Sequence, residues 1–107
     1  MKRQGFRLPS ISMEKDITLL GNFLFSFYYE YPDDIEASIK SLNYLLNHLE
    51  YRRNVIKIIN NIQDGNVEDA VLIEVIRTKA NRKVQNQKDC MHFIDRVWKL
   101  NLFDIEL

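Results

Sequence analysis

The chain has 107 residues, of which 46% are hydrophobic and 28% charged, a balance typical of a folded globular protein and not of a disordered one. Its 15 lysine and arginine residues are matched by 15 aspartate and glutamate residues, so no overall electric field would draw the protein onto nucleic acid or an anionic membrane. The length suits one hydrophobic core, and we therefore expect a single domain over residues 1–107.

Cysteine content and hydropathy bear on the compartment. The single cysteine, Cys90, cannot form an intramolecular disulfide, and a fold that needs none suits the reducing cytoplasm. Residues 1–12 lack the apolar run and cleavage site of a signal peptide. The most apolar stretch, residues 17–27, is shorter than the ~20 residues of a membrane-spanning helix. We expect a cytoplasmic protein that does not enter the membrane.

The first predicted element follows an irregular arm at residues 1–11. Only 3 glycines and 2 prolines punctuate the chain, which favours a few helices over many β-turns. Aromatic residues from Phe23 to Tyr31 alternate as in a strand, but no second strand of comparable quality exists to pair with it. A helix from about Met13 to Tyr29 is therefore predicted, with apolar residues at three- and four-residue steps: Ile17, Leu20, Phe23, Leu24, Phe27 and Tyr28.

Tyr31 and Pro32 end this helix, because the residue before a proline is driven out of the helical conformation. Asp33, with Glu36 three residues later, resembles a capping box and predicts the start of a second helix. That helix should span about Asp34–Asn47. Its expected buried stripe is Ile35, Ile39, Leu42, Leu45, Leu46 and Leu49.

A third helix, or a continuation of the second after a bend near Asn47 and His48, is predicted over about Tyr51–Ile62, with Arg52 left in solvent. Its apolar positions are Tyr51, Val55, Ile58, Ile59 and Ile62. Gly65 suits a left-handed cap at its end. A fourth helix follows, with apolar positions Val67, Val71, Leu72, Val75 and Ile76.

Residues 77–88 contain five cationic side chains and no acidic one, so we expect this segment to be exposed, as a helix end or as a loop. Asp89 can cap a last helix over about Cys90–Leu100. The chain is therefore predicted to be all-α, a small bundle of about five helices.

Catalytic and metal-binding motifs are not recognisable. The candidate metal ligands beyond carboxylates are His48, His92 and Cys90. Cys90 and His92 are two residues apart, which places them on different faces of a helix. No glycine-rich phosphate loop or nucleophile elbow is present in the sequence. A carboxylate pair for acid–base catalysis stays open, because sequence does not reveal burial. We expect a protein that is not an enzyme and needs no metal or cofactor.

The distinctive segment is the predicted turn between the first two helices, where three tyrosines lie beside four carboxylates. Tyrosine is frequent at the energetic centres of interfaces, and clustered carboxylates suit a basic partner. In the alternative interpretation Tyr28 and Tyr31 pack in the core and the carboxylates only cap the second helix. The candidate partner-binding residues are Tyr29, Glu30, Tyr31, Asp33, Asp34 and Glu36.

Direct nucleic-acid binding is a weaker hypothesis. The basic segment at residues 77–88 lacks the interleaved aromatic residues of a single-strand binder. A helix-turn-helix over residues 51–80 would begin its second helix with Glu68 and Asp69, which DNA phosphates would repel. A small helical DNA-binding regulator or an adaptor therefore stays the alternative function.

The segment Leu19–Tyr31, followed by Asp33–Ile39, resembles the opening of bacterial contact-dependent growth inhibition immunity proteins. The shared pattern is an apolar helix, an aromatic and acidic segment, a turn, and an acidic helix start that contains an alanine. The resemblance covers about residues 17–46, and Tyr29–Pro32 stands where a histidine-glutamine-aspartate stretch is expected.

This resemblance implies a small, mainly helical, cytoplasmic protein. It would bind the toxic C-terminal domain of a cognate toxin, commonly a nuclease, and block its active site or substrate groove. A nuclease groove is typically basic, which agrees with an acidic, tyrosine-rich turn as the binding site.

Overall fold

The computed structural model describes residues 11–107, with side chains from Glu14 onward. These residues form five helices and no strand, which confirms the prediction of a small all-α bundle. Within the described part of the chain, no helix combines the length and apolar character needed to cross a membrane. The predicted arm lies outside the described residues except for Ile11. The helices are α1 (Ile11–Tyr28), α2 (Asp34–Leu46), α3 (Leu49–Gln63), α4 (Asp69–Lys79) and α5 (Gln87–Leu100).

Local signals set the helix ends, and most were recognisable in the sequence. The Asp33 carboxylate accepts a hydrogen bond from the Ile35 amide at 2.9 Å, which confirms it as the cap of α2. Gly65 has φ 80° and ends the turn after α3 in the left-handed region. The cap of α5 is Asn86 and not Asp89: the Asn86 side chain accepts from the Asp89 amide at 2.9 Å.

Burial along α1 follows helical steps and excludes the strand alternative. Phe23 is fully buried while Phe25 is 53% exposed. In a strand the two side chains would lie on the same side and would be buried alike. The buried side of α1 packs against α2, α3 and α4. Its fully buried residues are Leu20, Phe23, Leu24 and Tyr28.

The face that α2 turns inward differs from the prediction. Ile35, Ile39 and Leu46, expected in the core, are 50%, 57% and 48% exposed, whereas Leu45 is fully buried as expected. The inward face consists mainly of small residues: Ala37, Ser38, Ser41 and Leu45. Small side chains allow α2 to lie close to its neighbours, and two of them carry hydroxyl groups that the core requires.

A buried hydrogen-bond network explains that requirement. The Tyr28 hydroxyl lies 2.6 Å from the Ser38 hydroxyl and accepts from the Asn101 side-chain amide at 2.9 Å. The Ser41 hydroxyl donates to the Asn101 side-chain oxygen at 2.5 Å. Each of these groups would be costly to bury without a partner, so the network joins α1, α2 and the end of α5 in one arrangement.

Arg52 is buried, although the sequence placed it in solvent. Arg52 belongs to α3 and is only 3% exposed. The guanidinium donates to the Asn101 carbonyl at 3.1 Å and to the Leu102 and Ile105 carbonyls at 2.6 and 3.0 Å. Burial lowers the pKa of Arg52, partly offset by Asp104. The main-chain carbonyls compensate the cost of burying the cation. The same hydrogen bonds fix the segment after α5 against α3.

Candidate functional site

The turn between α1 and α2 is held by an arginine from the connection between α4 and α5. The Arg82 guanidinium donates to the Tyr28 carbonyl at 2.9 Å, to the Tyr31 carbonyl at 2.8 Å and to the Asp34 carboxylate at 2.9 Å. It lies 5.7 Å from the ring centres of both Tyr28 and Phe93, within the range of cation–π contacts. Main-chain and side-chain bonds together give this turn a defined shape.

Asp34 acts inside the fold. One carboxylate oxygen lies 2.8 Å from Arg82 and the other 3.3 Å from Arg96. The Arg82 and Asp34 side chains are 14% and 20% exposed, whereas Arg96 is 52% exposed, so the first pair is shielded from water and the second is largely screened. Two cations therefore neutralise a carboxylate that the sequence placed among the partner-binding residues.

The basic segment at residues 77–88 is exposed at most positions, as predicted, and the exceptions are Ala80, Arg82 and Val84. Ala80 and Val84 are 0% and 5% exposed because they pack into the core. Asn81, with φ 56°, turns the chain after α4. The same turn directs Arg82 toward Asp34, while the exposed cations of this segment are Arg77, Lys79, Lys83 and Lys88.

The other predicted partner-binding residues divide into one half-buried side chain and four exposed ones. Tyr31 is half-buried, and the Lys40 ammonium lies 5.9 Å from its ring centre. Tyr29 is 41% exposed, and its ring centre lies 4.9 Å from that of the exposed Phe25. We call the four exposed residues the acidic turn: Tyr29, Glu30, Asp33 and Glu36.

Two features of this region could not be recognised from the sequence patterns. Arg82 is separated from Asp34 by 48 residues, and no local pattern distinguishes it from its cationic neighbours. Ile35 and Ile39, beside the acidic turn, were assigned to the core because their spacing is that of a buried helix face. Only the packing of α2 shows that they are exposed.

The sequence matches no known family model, and no curated protein or solved structure shows significant similarity to it.

The reactivity of Cys90 is limited by burial. The residue is fully buried in the hydrophobic core. Burial raises the pKa of its thiol, and Asp69 and Asp89 act in the same direction. The thiolate is the reactive form of cysteine, so this environment disfavours nucleophilic chemistry at Cys90. Within residues 11–107, no group of three or more His, Cys, Asp or Glu side chains is placed to hold a metal ion.

An aromatic cluster lies at the other end of α2. The Tyr44 ring stacks on His48 at 3.9 Å between ring centres and meets the Tyr51 ring edge-on at 5.6 Å. Phe27 of α1 lies 5.4 Å from Tyr44. Burial, helped by Tyr44, raises the pKa of Tyr51 to about 12.

We expect the protein to lose stability in alkali, with Tyr51 as one cause. Unfolded Tyr51 releases its proton near pH 10.0 and the folded residue near pH 12, so its contribution is complete below pH 10.0 and is lost as the pH rises through about 12. Tyr28 and Cys90 contribute with the same sign.

Urea unfolding at about pH 8 and about pH 11 measures this loss. Tyr51→Phe should lose less stability between the two conditions than the parent protein. Equal losses would show that the buried phenol does not contribute.

Proposed function

We propose that the protein acts by binding a basic protein partner through the acidic turn, and that this partner is the toxic domain of a contact-dependent growth inhibition toxin. The protein would then be an immunity protein that neutralises the toxin, as its resemblance to that family implies. The observation that carries the proposal is the anchoring of the turn by Arg82, which leaves four candidate side chains exposed. A surface that is already ordered loses little conformational entropy on binding.

The charge of the acidic turn supports a basic partner. Glu30, Asp33 and Glu36 are exposed in one short segment that runs from the turn into α2, whereas Asp34 is compensated by Arg82 and Arg96. Because the formal net charge of the chain is +0, any electrostatic attraction depends on such local groups. Complementary charge mainly accelerates association and selects the partner. A basic nuclease groove has the complementary charge.

Apolar contact area is available next to these carboxylates. Tyr29 and Phe25 are 41% and 53% exposed and pack on one another, with the Lys79 ammonium 5.9 Å from the Phe25 ring centre. Rigid aromatic side chains supply large contact areas at low entropic cost and are frequent among the residues that dominate binding energy. The pair can therefore serve as the apolar part of an interface whose rim is acidic.

Charge reversal of the acidic turn tests this proposal. Changing Asp33 and Glu36 together to lysine should slow association with the toxin domain about tenfold or more at low salt and weaken protection of co-expressing cells. Reversal of Lys83 and Lys88 to glutamate is the matched control and should have little effect. Asp34 is left unchanged, because its substitution would break the anchor of the turn.

Stability must be measured on the same variants, because Asp33 also caps α2. Asp33→Asn retains a capping side chain without the charge, and so separates loss of the cap from loss of electrostatic attraction. A folded double variant that protects like the parent would show that the acidic turn is not the binding surface. Tight binding to duplex DNA at physiological salt, lost on reversal of Lys83 and Lys88, would favour the DNA-binding regulator instead.

A further inference from the structure

An exposed apolar stripe runs along α2. Ile35, Ile39 and Leu46 are 50%, 57% and 48% exposed, and Leu42 between them is half-buried. Their spacing of four, three and four residues places them on one side of the helix. This is the spacing of the seam along which two helices pack in a coiled coil. Contiguous exposed aliphatic side chains of this kind mark interaction surfaces.

The charges around the stripe are polarised. At its first end, Ile35 is flanked by the exposed carboxylates of Asp33, the N-cap of α2, and of Glu36 in the first turn. The one cation of α2, the exposed Lys40, has its ammonium 5.9 Å from the Tyr31 ring centre, and toward the other end of the stripe Asn43 and Asn47 carry no charge. A matching surface must therefore be apolar along its length and basic at one end.

This polarity disfavours a second copy of the chain as the occupant. Two parallel copies of α2 would bring their acidic ends together, where like charges repel. Two antiparallel copies centred on the stripe would bring their two Lys40 side chains close together and place each acidic end against the uncharged end of the other, without electrostatic gain. A different chain with lysine or arginine at one end of an apolar seam satisfies both features of the stripe.

We infer that α2 is the docking surface for a basic amphipathic helix of the partner protein. The apolar side of that helix packs on Ile35, Ile39 and Leu46, and its cations lie against Asp33 and Glu36. This inference rests on the proposed function for the partner and specifies how the partner binds. It extends the interface from the acidic turn along α2, giving it the apolar centre and polar rim of a specific interface.

The probe is a synthetic amphipathic helix of leucine and lysine, compared with a leucine and glutamate helix of the same pattern. Fluorescence anisotropy with the full-length protein should show the lysine peptide binding about tenfold or more tightly than the glutamate peptide. Ile39→Ser should weaken that binding about tenfold, and Glu36→Gln a few-fold. Val71→Ser is the matched control, since Val71 is 38% exposed on α4, and it should leave binding unchanged.

Equal binding of the two peptides, or equal effects of Ile39→Ser and Val71→Ser, would overturn the inference. Leu46→Ser provides a second variant, and thermal unfolding checks that each variant folds. Sedimentation of the free protein is the further control: a dimer in the parent that becomes a monomer in Ile39→Ser would mean that a second copy covers the stripe.

The cell protection assay separates this inference from the proposed function. If reversal of Asp33 and Glu36 abolishes protection while folded Ile39→Ser protects fully, the docking surface is wrong and the proposed function stands. If α2 binds the lysine peptide as described but the protein protects against no toxin, the docking surface stands and the immunity function is wrong.

Discussion

Replacing Ile59 by alanine is expected to lower the free energy of unfolding by about 2–5 kcal/mol, whereas the same change at Leu46 should cost less than about 1 kcal/mol. Ile59 is fully buried in α3, so its truncation leaves a cavity that the neighbouring side chains fill only in part. Leu46 is 48% exposed, so its truncation removes contacts on one side only. The sequence alone assigned both residues to the core.

Urea unfolding of the two variants measures this difference directly, provided that their unfolding free energies fall with urea concentration at the same slope. The comparison tests the orientation of α2, because Leu46 would be buried if the aliphatic stripe faced inward. A cost at Leu46 similar to that at Ile59 would mean that α2 turns its aliphatic side to the core, and it would remove the proposed docking surface.

Replacing Arg82 by alanine should destabilise the protein by about 3 kcal/mol. The change leaves the Asp34 carboxylate with only the exposed Arg96, and it removes a donor from the Tyr28 and Tyr31 carbonyls. Removing one partner of a shielded ion pair is costly because the remaining charge stays in a poorly hydrated place. The figure lies at the lower end of the range for buried pairs, because both side chains are slightly exposed.

Thermal or urea unfolding of Arg82→Ala, with Lys83→Ala as the neighbouring control, tests this expectation. Lys83 is exposed, and its truncation should change stability by less than about 0.5 kcal/mol. Arg82→Ala combined with Asp34→Asn should cost less than the sum of the single changes, because the two groups interact directly. Additive costs, or an Arg82→Ala variant as stable as Lys83→Ala, would show that the anchor contributes nothing.

The candidate site could be predicted only in part from the sequence. The aromatic and acidic character of the turn is contiguous in the sequence, so Tyr29, Glu30, Asp33 and Glu36 were identified together, and the structure exposes all four. The neutralisation of Asp34 depends on Arg82 and Arg96, which come from distant parts of the chain. Sequence patterns give no access to such pairs, because each cation looks like an ordinary solvent-exposed residue.

The sequence by itself determined the number of helices and several of their ends, although not the cap of α5. Pro32, the Asp33 cap and Gly65 act on the backbone within a few residues, so local chemistry is sufficient to place those boundaries. The inward side of α1 was also recognisable, because large apolar residues recur there at helical spacing and no second strand was available to pair with its alternating aromatic residues.

Only the tertiary structure decided which side of α2 faces the core and which cations are buried. Hydrophobicity favoured the isoleucine side, but the Tyr28 hydroxyl and the Asn101 amide, 73 residues apart, require hydroxyl partners that Ser38 and Ser41 supply. Arg52 and Arg82 are accommodated because carbonyl groups some 50 residues away accept their hydrogen bonds. A buried polar group is stable only where its partners converge, and that convergence is a property of the folded chain.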